Sequence, residues 1–131
     1  MTAQLPLHAA IYAALAAGPD IGAGIYDVVP QDAAYPHIEI AGGRARDWSA
    51  QLLRGEETTV EIHVWSRYRG RKEARELLGK IKDRLHEVAL PLTGATLIDI
   101  RFRDLEGPFT DADGVTQHGI IRFTALTSTA S

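Results

Sequence analysis

The sequence predicts an α+β fold, a single mainly antiparallel β-sheet packed by two helices, and three observations carry that expectation. Two stretches repeat their apolar residues with a helical period, several others alternate with a period of two, and Gly, Pro and Asp-Gly signals separate them. The resulting order is helix, two strands, a third strand, a helix, and two final strands, which suits one sheet with its helices gathered on one face. Alternation is what such a half-covered sheet requires, because only one of its faces meets the helices.

The first helix is expected around Leu7, Ile11 and Leu15, four residues apart and therefore on one face. Pro6 suits a first helical turn, and Gly18-Pro19 stops the helix. The same stretch superficially resembles a secretion signal. No Lys or Arg precedes its apolar run, however, and Pro6 and His8 interrupt the approach, which favours the amphipathic helix. Residues 25–29 and 37–41 are short apolar runs bounded by Gly and Pro, as short strands are, with Pro36 at the entrance of the second. Residues 42–56 lack a period of two and read as a long connection with one helical turn at 48–53. Residues 57–66 alternate cleanly: Val60, Ile62 and Val64 face one way, and Thr59, Glu61, His63 and Trp65 the other.

A second helix is expected from Gly70 to about residue 87. Ala74, Leu77, Leu78, Ile81, Leu85 and Val88 form its apolar stripe, and Glu76 and Lys80 are ordered for a helical ion pair. Residues 95–102 alternate again, with Ile98, Ile100 and Phe102 on one face. A loop containing Gly107-Pro108 and the Asp-Ala-Asp-Gly run at 111–114 follows. The last strand is expected over residues 116–126, with 127–131 as a short polar end of one domain spanning 1–131.

Composition narrows the chemistry. Fourteen Lys and Arg face 17 Asp and Glu, a net charge of −3, whereas dedicated nucleic-acid binders usually carry a cationic excess. The absence of cysteine excludes disulfides, thiolate zinc sites and a cysteine nucleophile. No stretch approaches the ~20 apolar residues that span a membrane, so the chain reads as soluble. The run at 111–114 starts like a calcium loop, but Gly114 follows the second acid directly and no Glu comes later, so it reads as a turn. The five histidines show no metal-ligand spacing. His63 and His118 could approach each other across paired strands, an arrangement more often structural than metal-binding. Neither a nucleophile elbow nor a phosphate-cradling glycine loop is present. Nothing here supports an enzyme or a cofactor.

What stands out is HVWSRYRGRKEA at 63–74, where Trp65 and Tyr68 are interleaved with Arg67, Arg69, Arg71 and Lys72. Interleaved aromatics and arginines are one signature of a nucleic-acid surface. They are also the residue types enriched at protein interfaces. Arg71 and Lys72 stand at a helix N-terminus, where a cation opposes the macrodipole by up to ~1 kcal/mol. Such a placement suggests a partner of opposite charge, either nucleic acid or an acidic protein surface.

VWSRYRGRKEARELLGKIKDRLH (64–86), with YPHIEI (35–40) upstream and DADGVTQHGIIRF (111–123) downstream, resembles the small tail-completion proteins of long-tailed phages. These are the tail terminators, or tail-to-head joining proteins, also found in prophages and gene transfer agents. The resemblance covers nearly the whole chain in the same order, and 42–56 departs from it most. It implies a ring-forming subunit of the virion tail or neck, assembled in the bacterial cytoplasm. Six copies would cap the last ring of the tail tube, stop its polymerisation and meet the head connector (the stopper) on the other face. DNA would pass through the channel without sequence-specific binding, and no cofactor, membrane or catalysis is involved.

Under that reading Trp65, Arg67, Tyr68, Arg69 and Arg71 are expected at subunit or tube contacts. Arg44, Arg46, Asp47 and Trp48 would form an arm reaching a neighbouring ring, and Asp104, Glu106, Asp111 and Asp113 the channel wall. The competing readings are another neck component (an adaptor or stopper), a tail-tube subunit, and a small nucleic-acid-binding module.

Overall fold

The computed structural model describes residues 2–129. Its elements are α1 (Gln4–Ala16), β1 (Gly24–Tyr26), β2 (His37–Asp47), β3 (Arg54–Ser66), α2 (Lys72–Leu85), β4 (Thr96–Thr110) and β5 (Gln117–Thr129). The strands form one sheet in the order β1-β2-β3-β5-β4. Only the short β1–β2 pair is parallel; the remaining three pairs are antiparallel. This is the expected α+β architecture.

Alternation fixes the two faces of the sheet. Ile38 and Ile40 of β2, Val60, Ile62 and Val64 of β3, Ile100 of β4 and Ile121, Phe123 and Ala125 of β5 are buried beneath the helices. The stripe of α2, Ala74, Leu77, Leu78, Ile81 and Leu85, closes over them, and α1 adds Leu7, Ala10, Ile11 and Leu15. Gly119 of β5 gives Leu78 its seat, since a Cβ there would lie 2.7 Å from Leu78 Cδ1. The ends of α1 are satisfied by other elements. The Glu56 carboxylate of β3 accepts from Ala3 N–H at 2.9 Å, and Arg84 of α2 donates to the carbonyls of Leu15 at 2.7 Å, Ala17 at 2.8 Å and Pro19. An acid at the N-terminus and a guanidinium at the C-terminus both match the helix dipole.

The structure corrects several expectations. Residues 42–56 hold no helical turn. They are the second half of β2, a tight tip and the start of β3, a β-hairpin. The period of two is lost there because the pairing shifts between Ala41 and Arg44, where Gly42-Gly43 forms a bulge. The strand at 25–29 is shorter than expected, three residues. β4 does not stop at Phe102 but continues through Thr110, interrupted by three register shifts, so Asp104 and Glu106 lie in a strand and not in a loop. The first of those shifts, between Leu97 and Asp99, also turns Ile98 outward to 46% exposure, off the face it was expected to share with Ile100. Residues 127–129 belong to β5 and are no loose end; 130 and 131 lie outside the described residues. Glu76 pairs with Lys72 at 3.9 Å, while Lys80 donates to the Ile21 carbonyl.

Candidate assembly surfaces

The helices cover one face of the sheet, and the other carries the polar half of every alternation. At the end where β3 runs into α2, register alone aligns His37 of β2, Trp65 of β3, His118 of β5 and Phe109 of β4. Because β3 lies between β2 and β5, the two imidazoles approach opposite faces of the Trp65 ring. His118 is nearly parallel to it at 4.6 Å between centroids, and His37 lies at 5.3 Å. Tyr35 packs on the outer side of His37 at 4.6 Å, and Phe109 meets His118 edge-on at 5.8 Å. His63 also stacks on Trp65 at 5.4 Å, so three imidazoles surround the ring and compete with any base for it.

The arginines of the corner are partly engaged as well. The Arg67 guanidinium sits 4.1 Å above the Tyr35 ring and donates to Thr116 Oγ1 at 3.1 Å. Arg71 donates to Thr110 Oγ1 at 3.1 Å. Neither Arg71 nor any other side chain caps α2. Ser66 instead donates to the Glu73 carboxylate at 2.6 Å and accepts from Tyr68 N–H, which fixes the turn between β3 and α2. Arg69 is exposed and the Tyr68 ring is 63% exposed, so these two project from the corner.

Asp111 and Asp113 lie at this same end. The Asp111 carbonyl accepts from Gly114 N–H at 3.0 Å, and Gly114 takes the positive φ of 73° that the turn needs. Asp113 accepts from the N–H groups of Val115 and Thr116 and from the Thr116 hydroxyl. These bonds, led by the hydroxyl, hold its pKa down at about 2. The expected turn is therefore present.

At the opposite end, Arg44, Arg46, Asp47 and Trp48 lie along the β2–β3 hairpin. Arg46 pairs with Glu57 at 2.8 Å, and Asp47 accepts from Ser49 Oγ at 2.7 Å. Trp48 N–H donates to the Gly55 carbonyl at 2.8 Å, with its ring 39% exposed, and Ala50 and Leu53 bond each other across the tip. Arg44 pairs with Thr59 and Asp47 with Glu56, so six to nine residues of β3, roughly 20 to 30 Å at the usual strand rise, separate this arm from the corner at Trp65. The nine residues expected at contacts thus fall into two groups at opposite ends of one sheet.

Between them the uncovered face is ionic. Arg122 of β5 donates to Glu61 of β3 and Asp104 of β4, each at 2.9 Å, and to Glu106 of β4. These carboxylates, Asp104 first, raise the guanidinium pKa. Glu61 also accepts from His63 Nε2, and His63 Nδ1 faces His118 Nε2 at 2.7 Å, so the approach of the two histidines is realised. The four acids expected together are split: Asp104 and Glu106 surround Arg122, while Asp111 and Asp113 build the β4–β5 turn. His37, Arg122 and Phe109 were not singled out from the sequence. The signal for them was the polar half of the alternation in β2 and β5, which becomes legible only once the register is known. Among the described residues no group of three or more His, Cys, Asp or Glu side chains is placed to hold a metal ion.

Comparison with known proteins matches residues 9–128 to the sequence model of a family described as Tail completion protein gp17. The Tail completion protein gp17 of Bacillus phage SPP1 is 32% identical over 92 residues, 70% of this chain and 67% of that protein. Among solved structures, a chain from the virion of a native gene transfer agent particle superposes with a TM-score of 0.88 at 20% identity, covering 97% of this chain and 98% of that one. A second solved chain, 12% identical, matches with a TM-score of 0.52 over 100% of this chain and 98% of its own.

Proposed function

This chain belongs to the tail completion protein gp17 family, structural components of the virion tail and neck, and from that membership we propose that it is the terminator of a tail tube. Six copies form a ring that seats on the last ring of the tube, ends its growth and presents its other side to the head connector.

One observation carries this reading beyond the family: the two groups of candidate contact residues stand towards opposite ends of the β2–β3 pair, roughly 20 to 30 Å apart along it. A joining ring needs two separate contact surfaces held at a fixed distance, and β3, which runs from beside the arm to the corner, supplies the spacing. The arm of Arg44, Arg46, Asp47 and Trp48 reaches a neighbouring ring. The corner of Trp65, Arg67, Tyr68, Arg69 and Arg71 packs on an adjacent subunit, with Tyr68 and Arg69 as the projecting anchors, residue types that dominate interface energetics. Asp104 and Glu106 on the uncovered face, together with Asp111 and Asp113, face the channel. Glu61, Asp104 and Glu106 occupy Arg122, and Arg103 is engaged with Thr59, so the cations of that wall are tied to the protein and phosphate backbones pass without being gripped. The three imidazoles packed around Trp65 speak against base stacking and for a protein contact.

Adding the purified chain to growing tail-tube protein tests the proposal. Tubes that stop elongating and carry a closed ring at one end support it. Tubes that keep growing with bare ends refute it, and a chain that stacks by itself into open filaments is a tube subunit instead.

A further inference from the structure

We infer that Glu61, His63 and His118 form an acid-operated latch on the uncovered face of the sheet, closed while the imidazole pair holds at most one extra proton and opened when both rings are protonated, which releases the Trp65–Phe109 corner. This inference concerns the isolated chain and does not depend on the ring.

The chain of hydrogen bonds fixes the protons. Glu61 Oε1 lies 2.7 Å from His63 Nε2, and Glu61 Oε2 accepts from Arg122 Nε at 2.9 Å. These contacts, the His63 bond foremost, hold the Glu61 carboxyl below the usual range, so near neutrality it is ionised and can only accept. His63 therefore carries its proton on Nε2, and its Nδ1 offers a lone pair. The His118 Nε2 that faces it at 2.7 Å must then be the donor. One added proton leaves this bond intact, because a cationic ring and a neutral ring still share a single N–H between them. A second added proton places an N–H on both facing nitrogens. At 2.7 Å that is untenable, and the rings must part.

The surroundings resist charge on His118 but do not forbid it. Burial lowers its pKa, with His63 as the second cause, while Asp111, Glu39 and Glu61 act the other way. The groups facing the pair are Glu61 on β3, Glu39 and His37 on β2, Arg122 on β5, and Asp104, Glu106 and Asp111 from β4 and its turn. The output is local. His118 lies flat against Trp65 and edge-on to Phe109, so its departure frees one side of each ring at the end of the sheet that carries Tyr68 and Arg69.

Nuclear magnetic resonance of the ring nitrogens in the full chain between pH 8 and pH 4.5 tests the latch. The expected result is two coupled steps for His63 and His118, separated by more than about one pH unit. The second step should move the Trp65 indole and Phe109 ring signals while the methyl signals of Ile62 and Ile121 in the core stay in place. In His118→Gln, whose amide donates but does not titrate, His63 should titrate in one step and the Trp65 change should vanish. Glu61→Gln removes a carboxylate that favours charge on His118, so the second step should shift to lower pH. Independent single steps for the two rings, an unmoved second step in Glu61→Gln, or a second proton taken up only as the core signals collapse would each overturn the inference.

Discussion

Gly43 shows at the scale of one residue how the arm is set. A Cβ at this position would stand 1.6 Å from the Thr59 carbonyl oxygen, a backbone atom that cannot give way without unpairing β2 from β3. Gly43→Ala should destabilise the chain by about 3 kcal/mol or more in urea denaturation, beyond ordinary overpacking; a variant of wild-type stability would mean the bulge can migrate. Thr127 makes the opposite case. It is fully buried in β5, and its hydroxyl has no hydrogen-bond partner among the described residues. Thr127→Val keeps the shape, removes the desolvated hydroxyl, and should raise stability by about 1 kcal/mol. Asp113 contributes through its charge. Its folded pKa of about 2 lies below the ordinary 3.8, so its stabilisation is complete above pH 3.8 and is lost as pH falls from there towards 2. Asp113→Asn should therefore melt lower than the wild type at pH 6, and the gap should close as the pH approaches 2. The turn at 111–114 was legible because Asp-Gly has a local cause; the orphan hydroxyl of Thr127 was not, because only the packed sheet creates it.

Among the elements, legibility followed the regularity of the pattern. The stripe of α2 and the alternation of β3 name their buried residues correctly as far as Leu85 and Val64, since each periodicity survives along its element; Val88, expected in the stripe, falls beyond the end of α2 at Leu85 and is only partly buried. β2 and β4 were truncated in the sequence reading because bulges reset their period: Gly42-Gly43 in the first, and three shifts together with Gly107-Pro108 in the second. The candidate contact residues were found from residue type, yet their division between two ends of the sheet depends on pairing that no local pattern records. The arm itself is separable from the core. Its tip bonds mainly within itself, through Trp48 with Gly55 and Ala50 with Leu53. Replacing residues 49–54 with Asn-Gly, which closes a two-residue hairpin, should leave the melting temperature within a few degrees. Particles made with that variant carrying Arg44→Ala, Arg46→Ala and Trp48→Ala as well should fail to join heads to tails. Normal joining would remove the arm from the contact surface.

As the proposed terminator, the whole molecule works by placement: two contact surfaces at fixed separation, with an ionic sheet face between them. Its acidic balance of 14 cations against 17 acids suits a wall beside DNA better than a grip on it. The proposed role of ending the tube and joining it is tested most directly by electron microscopy of particles from cells lacking the gene. Overlong tails, or tails lying free of filled heads, are expected, restored to normal when the gene is supplied again. Tails of normal length attached to heads in its absence would contradict that role.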